Sequence, residues 1–254
     1  APGLTQPAPR SRGRGVFACS SRTGRASTLA KHETADGAVT VTAMPEPQEI
    51  EDLFTREDGS YRFARWGRPI VPVIFGVEDQ SLPPLKGAIE TVVAMAGHNM
   101  GETDPELGTN LMVFFLQDWA ELSELEGLDQ LIPELGALVP RLLAADASQY
   151  RVFRFDQDGA IRAAFVFLRM KGAFARRPAE EIGLEMAVKS ILDWGPRAFA
   201  DRSPLVRGGD GLARIDPQVS AIVGAAYDTV LPRASDDTSH ALRIFARLPA
   251  NRAR

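Results

Sequence analysis

The chain is poor in the residues that staple or metallate a protein. Its single cysteine, Cys19, excludes an internal disulfide framework. Its three histidines, His32, His98 and His240, are too far apart in sequence for any two to form a local metal-binding pair. The longest apolar runs, such as Ile70 to Val77 and Leu111 to Leu116, fall well short of the roughly 20 residues that a helix needs to cross a bilayer, so no transmembrane segment is expected. No serine or cysteine stands in a nucleophile elbow, and no glycine-rich dinucleotide fingerprint follows a strand. Gly208-Gly209-Asp210-Gly211 has glycines in number, but neither a preceding strand nor a following Gly-Lys-Ser, and it reads as a plain turn.

What is present describes an ordinary globular protein: 254 residues, 44% hydrophobic and 24% charged. The net charge of −4 is uneven. Arg10, Arg12, Arg14, Arg22, Arg25 and Lys31 precede the first acidic residue, Glu33, and the rest of the chain holds 23 basic against 33 acidic residues, net −10. So acidic a body is a poor partner for a phosphate backbone, which is bound by clustered Lys and Arg, and no nucleic acid is expected. Residues 1–36 are rich in Pro, Gly, Ser, Thr and Arg and offer little apolar surface to offset the entropy of ordering. They are expected to be a disordered basic tail, with 37–254 as one folded domain. Such a tail could touch anionic lipid or nucleic acid. Gly15 to Cys19 resembles a lipoprotein cleavage box, but the apolar stretch before it is too short for a signal core.

Along 37–254, Val39 to Thr42 reads as a short edge strand and Pro47 to Phe54 as a helical turn. Pro69 to Gly76 is β-branched and apolar, and Pro72, which has no amide donor, places this strand at a sheet edge or a bulge. Ser81 to Gly97 carries Leu85, Ala88, Ile89, Val92, Val93 and Ala96 at helical spacing, which predicts an amphipathic helix packed on a sheet, with Lys86 and Glu90 in solvent. Asn110 to Leu116 reads as a strand buried on both faces. Helical segments follow at Asp118 to Leu125 and at Pro133 to Ala145, the second interrupted at Pro140. Tyr150 to Phe155 and Ile161 to Met170 flank Asp158-Gly159, the signature of a β-hairpin. A helix opens at Pro178 and runs to about Trp194, and two more, Pro217 to Val230 and Ser235 to Arg247, end the chain.

This order of elements resembles the zincin topology of metallopeptidases. Arg65-Trp66-Gly67-Arg68-Pro69-Ile70, Asn110-Leu111-Met112-Val113, Glu180-Glu181, and Asp216 through Ala226-Tyr227-Asp228 to Leu231 further resemble a bacterial domain-of-unknown-function family of zincin-like, degenerate metallopeptidase-like secreted proteins. Together these segments span about residues 60–245. The resemblance implies an α+β fold with one mixed sheet, packed helices and a helical C-terminal part, and a periplasmic or secreted location. It does not imply zinc. In a zincin helix, His-Glu-x-x-His sets two imidazoles four apart on the metal while the Glu activates water. With Glu181 as that Glu, Glu180 and Leu184 take the histidine positions, and leucine cannot bind a metal. Phe199 alone stands near the place of the family's downstream Asn-Asp and Phe pattern.

The candidate site residues each carry a plainer reading. Glu181 lies about 20° from Val188 on a helical wheel, at the edge of the face formed by Leu184, Ala187, Val188, Ile191 and Leu192. There it is either a general acid or base of raised pKa, or a first-turn carboxylate stabilised by the helix dipole. Glu185 and Lys189 form a four-apart pair directed to solvent. His98, in the loop after Gly97, is a possible general base or a cap on the last carbonyls of the helix. Tyr227 packs its ring and bonds its hydroxyl, or joins Asp228 at a cleft, and His240 reads as a surface residue. The expectation is a non-catalytic zincin-like domain with no metal and no cofactor, which binds a peptide or protein partner in the cleft beside 178–194. The alternatives are a metal-dependent hydrolase, a peptidase using Glu181 as base and distant ligands such as His98, and a structural module without a ligand.

Overall fold

A computed structural model describes residues 44–249 except 102–107, 125–126, 129–131 and 133. The tail expected over 1–36, with Cys19 and His32, and the strand expected at Val39 to Thr42 lie outside the described residues. The fold is mixed α+β: a four-stranded mixed sheet, two small two-stranded ladders and, among the described residues, six α-helices. None of the described helices is long and apolar enough to cross a membrane.

In chain order the elements are α1 (Pro47–Asp52), β1 (Phe63–Ala64), β2 (Pro72–Phe75), α2 (Leu82–Met95), β3 (Leu111–Leu116), α3 (Leu135–Ala144), β4 (Gln149–Phe155), β5 (Ile161–Arg169), α4 (Ala179–Ile191), β6 (Leu205–Arg207), β7 (Ala213–Ile215), α5 (Pro217–Ala226), β8 (Ala234–Ser235) and α6 (Ser239–Phe245). The main sheet has the order β2-β3-β5-β4. β2, β3 and β5 are parallel, and β4 runs antiparallel at one edge. Pro72 is accordingly in an edge strand. The β4–β5 hairpin turns through 156–160 rather than through two residues, with a register shift at Arg154/Phe155. There Asp156 Oδ1 accepts the Asp158 and Ala160 amides, and Gly159 takes the left-handed φ of +82° that a side chain would resist.

The two faces of the sheet bury different cores. Leu111, Val113, Ala164, Val166 and Leu168 face α2 and α4, while Tyr150, Val152, Phe165 and Phe167 face α3 and a short 3-10 helix at Trp119–Ser123. This is why Leu111 to Leu116 is apolar at every position. α2 packs chiefly on α4. Gly183 permits the approach, since a Cβ there would stand 2.8 Å from that of Ala88. The helical C-terminal part docks through Trp194, stacked on Phe54, and through α6 on α1.

Several expected boundaries shift. Pro140 lies inside a continuous α3 and does not interrupt it. α4 ends at Ile191, because Leu192 turns extended to bridge Arg65. α5 stops at Ala226 instead of Val230, and Ser235 belongs to β8, so the last helix begins only at Ser239, whose amide bonds Asp237 Oδ1. The glycine-rich turn at 208–211 closes a small hairpin, β6–β7, which the sequence reading did not include.

Candidate functional site

α4 is buried almost throughout from Ile182 to Val188, so its charged side chains must be paired. Glu181 and Glu185, four residues apart, emerge on one face, where Arg177 ties them together: Nε lies 3.0 Å from Glu181 Oε1 and Nη1 2.6 Å from Glu185 Oε2. Lys189 Nζ stands 2.5 Å from Glu185 Oε1, which also accepts from Gln149 Nε2 of β4 at 3.0 Å. Arg207 reaches from β6 to Glu181 Oε2 at 2.9 Å. The Glu185–Lys189 pair thus exists, but it is turned inward: Glu185 is only 8% exposed. Burial pulls the Glu185 carboxyl up, but Lys189 and Arg177 outweigh it and hold the group down at about 2. This network floors a cleft of about 510 Å³ between α4, the 199–203 segment and the β6–β7 hairpin.

The helix register divides the candidates differently from the zinc pattern. Glu180 and Leu184, the positions that pattern assigned to histidines, line a separate and more apolar groove of about 550 Å³ beside Pro84, Thr91 and Met95 of α2. The pair with ligand spacing that faces the polar cleft is Glu181 with Glu185. It does not fit a zinc ion. Each of its four oxygens already meets an Arg, Lys or Gln donor, and among the described residues no imidazole lines the cleft and no group of three His, Cys, Asp or Glu is placed to hold a metal.

His98, Tyr227 and Asp228 gather at the other end of α4. His98 caps α2 through its backbone, its amide bonding Val93 O, but its ring does not: Nε2 donates to the Arg68 carbonyl, 2.9 Å away, and the ring packs 5.2 Å from that of Tyr227. Burial lowers the His98 pKa below its ordinary value, which keeps the ring neutral near pH 7. The buried Tyr227 hydroxyl donates to Ile191 O at 2.9 Å and accepts from the Trp66 amide at 3.3 Å. Trp66 Nε1 in turn bonds Ser190 O. Asp228 pairs with Arg247 at 3.4 Å. Ile191 is about 15 Å along the helix axis from Glu181. The candidates therefore form two clusters, and the second is a structural tie between α4, α5 and the Arg65–Trp66 segment.

His240 is a further correction. It is 1% exposed, 4.3 Å from the Phe63 ring, and among the described residues neither ring nitrogen has a hydrogen-bond partner. Burial, reinforced by Arg243, Arg247 and Arg65, lowers its pKa to about 4. Sequence reasoning passed over Arg177, Arg207 and Gln149. Arg177 carries a readable signal, four residues before Glu181. Arg207 and Gln149 have none, being 26 and 36 residues from the carboxylates they bind.

No protein-family model, no curated protein and no solved structure matches the chain.

Proposed function

We propose that this is a zincin-like domain without a working metal centre, a non-catalytic module that binds a peptide or protein partner in the cleft beside α4. The order β2–α2–β3, then the β4–β5 hairpin, then α4, with antiparallel β4 at the sheet edge above the helix, supports the zincin-like part of the reading. The observation that carries the binding part is the state of Glu181 and Glu185. Two helix carboxylates at metal-ligand spacing are neutralised by Arg177, Lys189 and Arg207 instead, so the cleft keeps an open, charged floor on which neither Glu181 nor Glu185 is free to act as a base. A 510 Å³ recess suits a few peptide residues.

The test is equilibrium retention of a degenerate peptide pool by the protein purified without chelator, beside the variant Ala200→Trp, which fills the exposed side of the cleft. Peptides retained by the wild type and lost in the variant are the expected result. No retention, or retention equal in both, refutes the reading. So does stoichiometric zinc accompanied by peptide hydrolysis.

A further inference from the structure

The bonding capacity left on the α4 floor of the cleft after its internal pairs are made is one-sided. Glu181 gives Oε1 to Arg177 and Oε2 to Arg207, and Glu185 gives Oε2 to Arg177 and Oε1 to Lys189 and Gln149. All four acceptor oxygens are engaged. The cations are not consumed in return, because a guanidinium has five N–H donors and no acceptor. Arg207 is 64% exposed at its side chain and spends Nη2 on Glu181 and Nη1 on the Gly211 carbonyl. Arg202, exposed where the cleft adjoins a second recess, makes among the described residues a single 3.4 Å contact, to Gln218 of that recess. Arg177, Lys189, Arg202 and Arg207 face three acids, Glu181, Glu185 and Asp201, so the lining is net +1 in a chain of net −4. Phe199, Leu205 and Val206 are the larger apolar residues of the same lining.

We propose that the cleft receives a carboxylate, the free C-terminus of a peptide with an apolar last side chain, held by the Arg202 and Arg207 guanidinium groups. Arginine presents paired donors that match a carboxylate, and Phe199 and Val206 take the side chain. On the α4 floor a basic peptide group would have to displace Arg177 or Lys189 from carboxylates that are themselves largely buried, which leaves Asp201, among the described residues, as the one lining acid outside those pairs, whereas an anion needs only donors that face solvent. The Arg207–Glu181 pair is exposed on the arginine side and therefore weak, so Arg207 turns to a ligand at little cost. This inference rests on the peptide-binding reading and specifies which end of the peptide is recognised.

The experiment is a ¹H–¹⁵N NMR titration of the full chain with N-acetyl-leucine, N-acetyl-leucinamide and inorganic phosphate, repeated on Arg202→Gln and Arg207→Gln. The expected result is saturable shifts over 199–207 with the acid, at least about tenfold weaker binding of the amide, and a similar loss for the acid in each variant, with the amide unaffected. Acid and amide binding equally would overturn the carboxylate assignment while leaving peptide binding in the cleft intact. Phosphate binding as tightly as the acid would overturn the peptide terminus as the ligand. Absence of shifts from all three probes overturns the inference. Failure of the underlying reading shows separately, as no retention of either free or amidated degenerate peptides.

Discussion

Replacing Asp193 by asparagine removes the charge from a carboxylate whose Oδ2 lies 2.6 Å from Arg56 Nη2 and 3.2 Å from Arg62 Nε. The Asp193 and Arg56 side chains are 7% and 3% exposed. Burial raises the carboxyl pKa of Asp193 and lowers the guanidinium pKa of Arg56, and their mutual attraction opposes both shifts. Removing one charge of a buried pair costs about 3–5 kcal/mol, because the other is stranded away from water. Arg56 also donates to the carbonyls of Arg62, Asp193 and Trp194, which remain, and Arg62 is exposed enough to hydrate. The loss should therefore sit near the low end, about 3 kcal/mol, equivalent to roughly 6–12 °C in Tm for a domain of this size. Urea unfolding at pH 7 should show a lower midpoint at unchanged slope. The double variant Arg56→Met/Asp193→Leu should be less destabilised than the sum of Arg56→Met and Asp193→Leu, since the charge left by one change is removed by the other. A cost under about 1 kcal/mol for Asp193→Asn, or additivity in the cycle, would refute the reasoning.

His240 is held neutral in the fold, so its contribution is fully present above pH 6.5 and is lost as the pH falls toward about 4. His240→Phe should flatten the urea midpoint across that window, and an unchanged slope there would sink the idea. Glu185 has the opposite chemistry but the same direction: its depressed pKa stabilises the fold above about 4.5 and that contribution, on the order of 3 kcal/mol, disappears as the pH drops to about 2. Acid unfolding of Glu185→Gln should lack this component, and a curve parallel to wild type below pH 4.5 would contradict it. Gly183→Ala raises helix propensity by about 1 kcal/mol, yet it sets a Cβ 2.8 Å from Ala88 Cβ and 3.3 Å from Leu85 Cα, and overpacking costs about 1–3 kcal/mol. Net destabilisation by chemical denaturation is expected, and a stabilised variant would show that α2 and α4 yield easily.

The sequence by itself determined the elements whose signals are local: the apolar run of β3, the helical spacing of α2, the Gly159 hairpin and the restriction of Pro72 to an edge or a bulge, of which the fold takes the edge. Periodicity and backbone chemistry act over a few residues, and nothing distant overrode them. Tertiary structure alone decided which charges are inside. Glu185 looked like half of a surface pair, but Gln149 and Arg177 meet it within the fold, and His240 looked exposed until α6 carried it against Phe63. The same holds for Ser235, a plausible helix start drawn into a ladder by Phe63. Burial of a polar group is stable only when partners from other parts of the chain offset its desolvation, and no local pattern records where those partners will be. The cleft follows the same rule, its α4 floor being legible in sequence and its Arg202 and Arg207 walls being set by chain that returns only after the helix has ended.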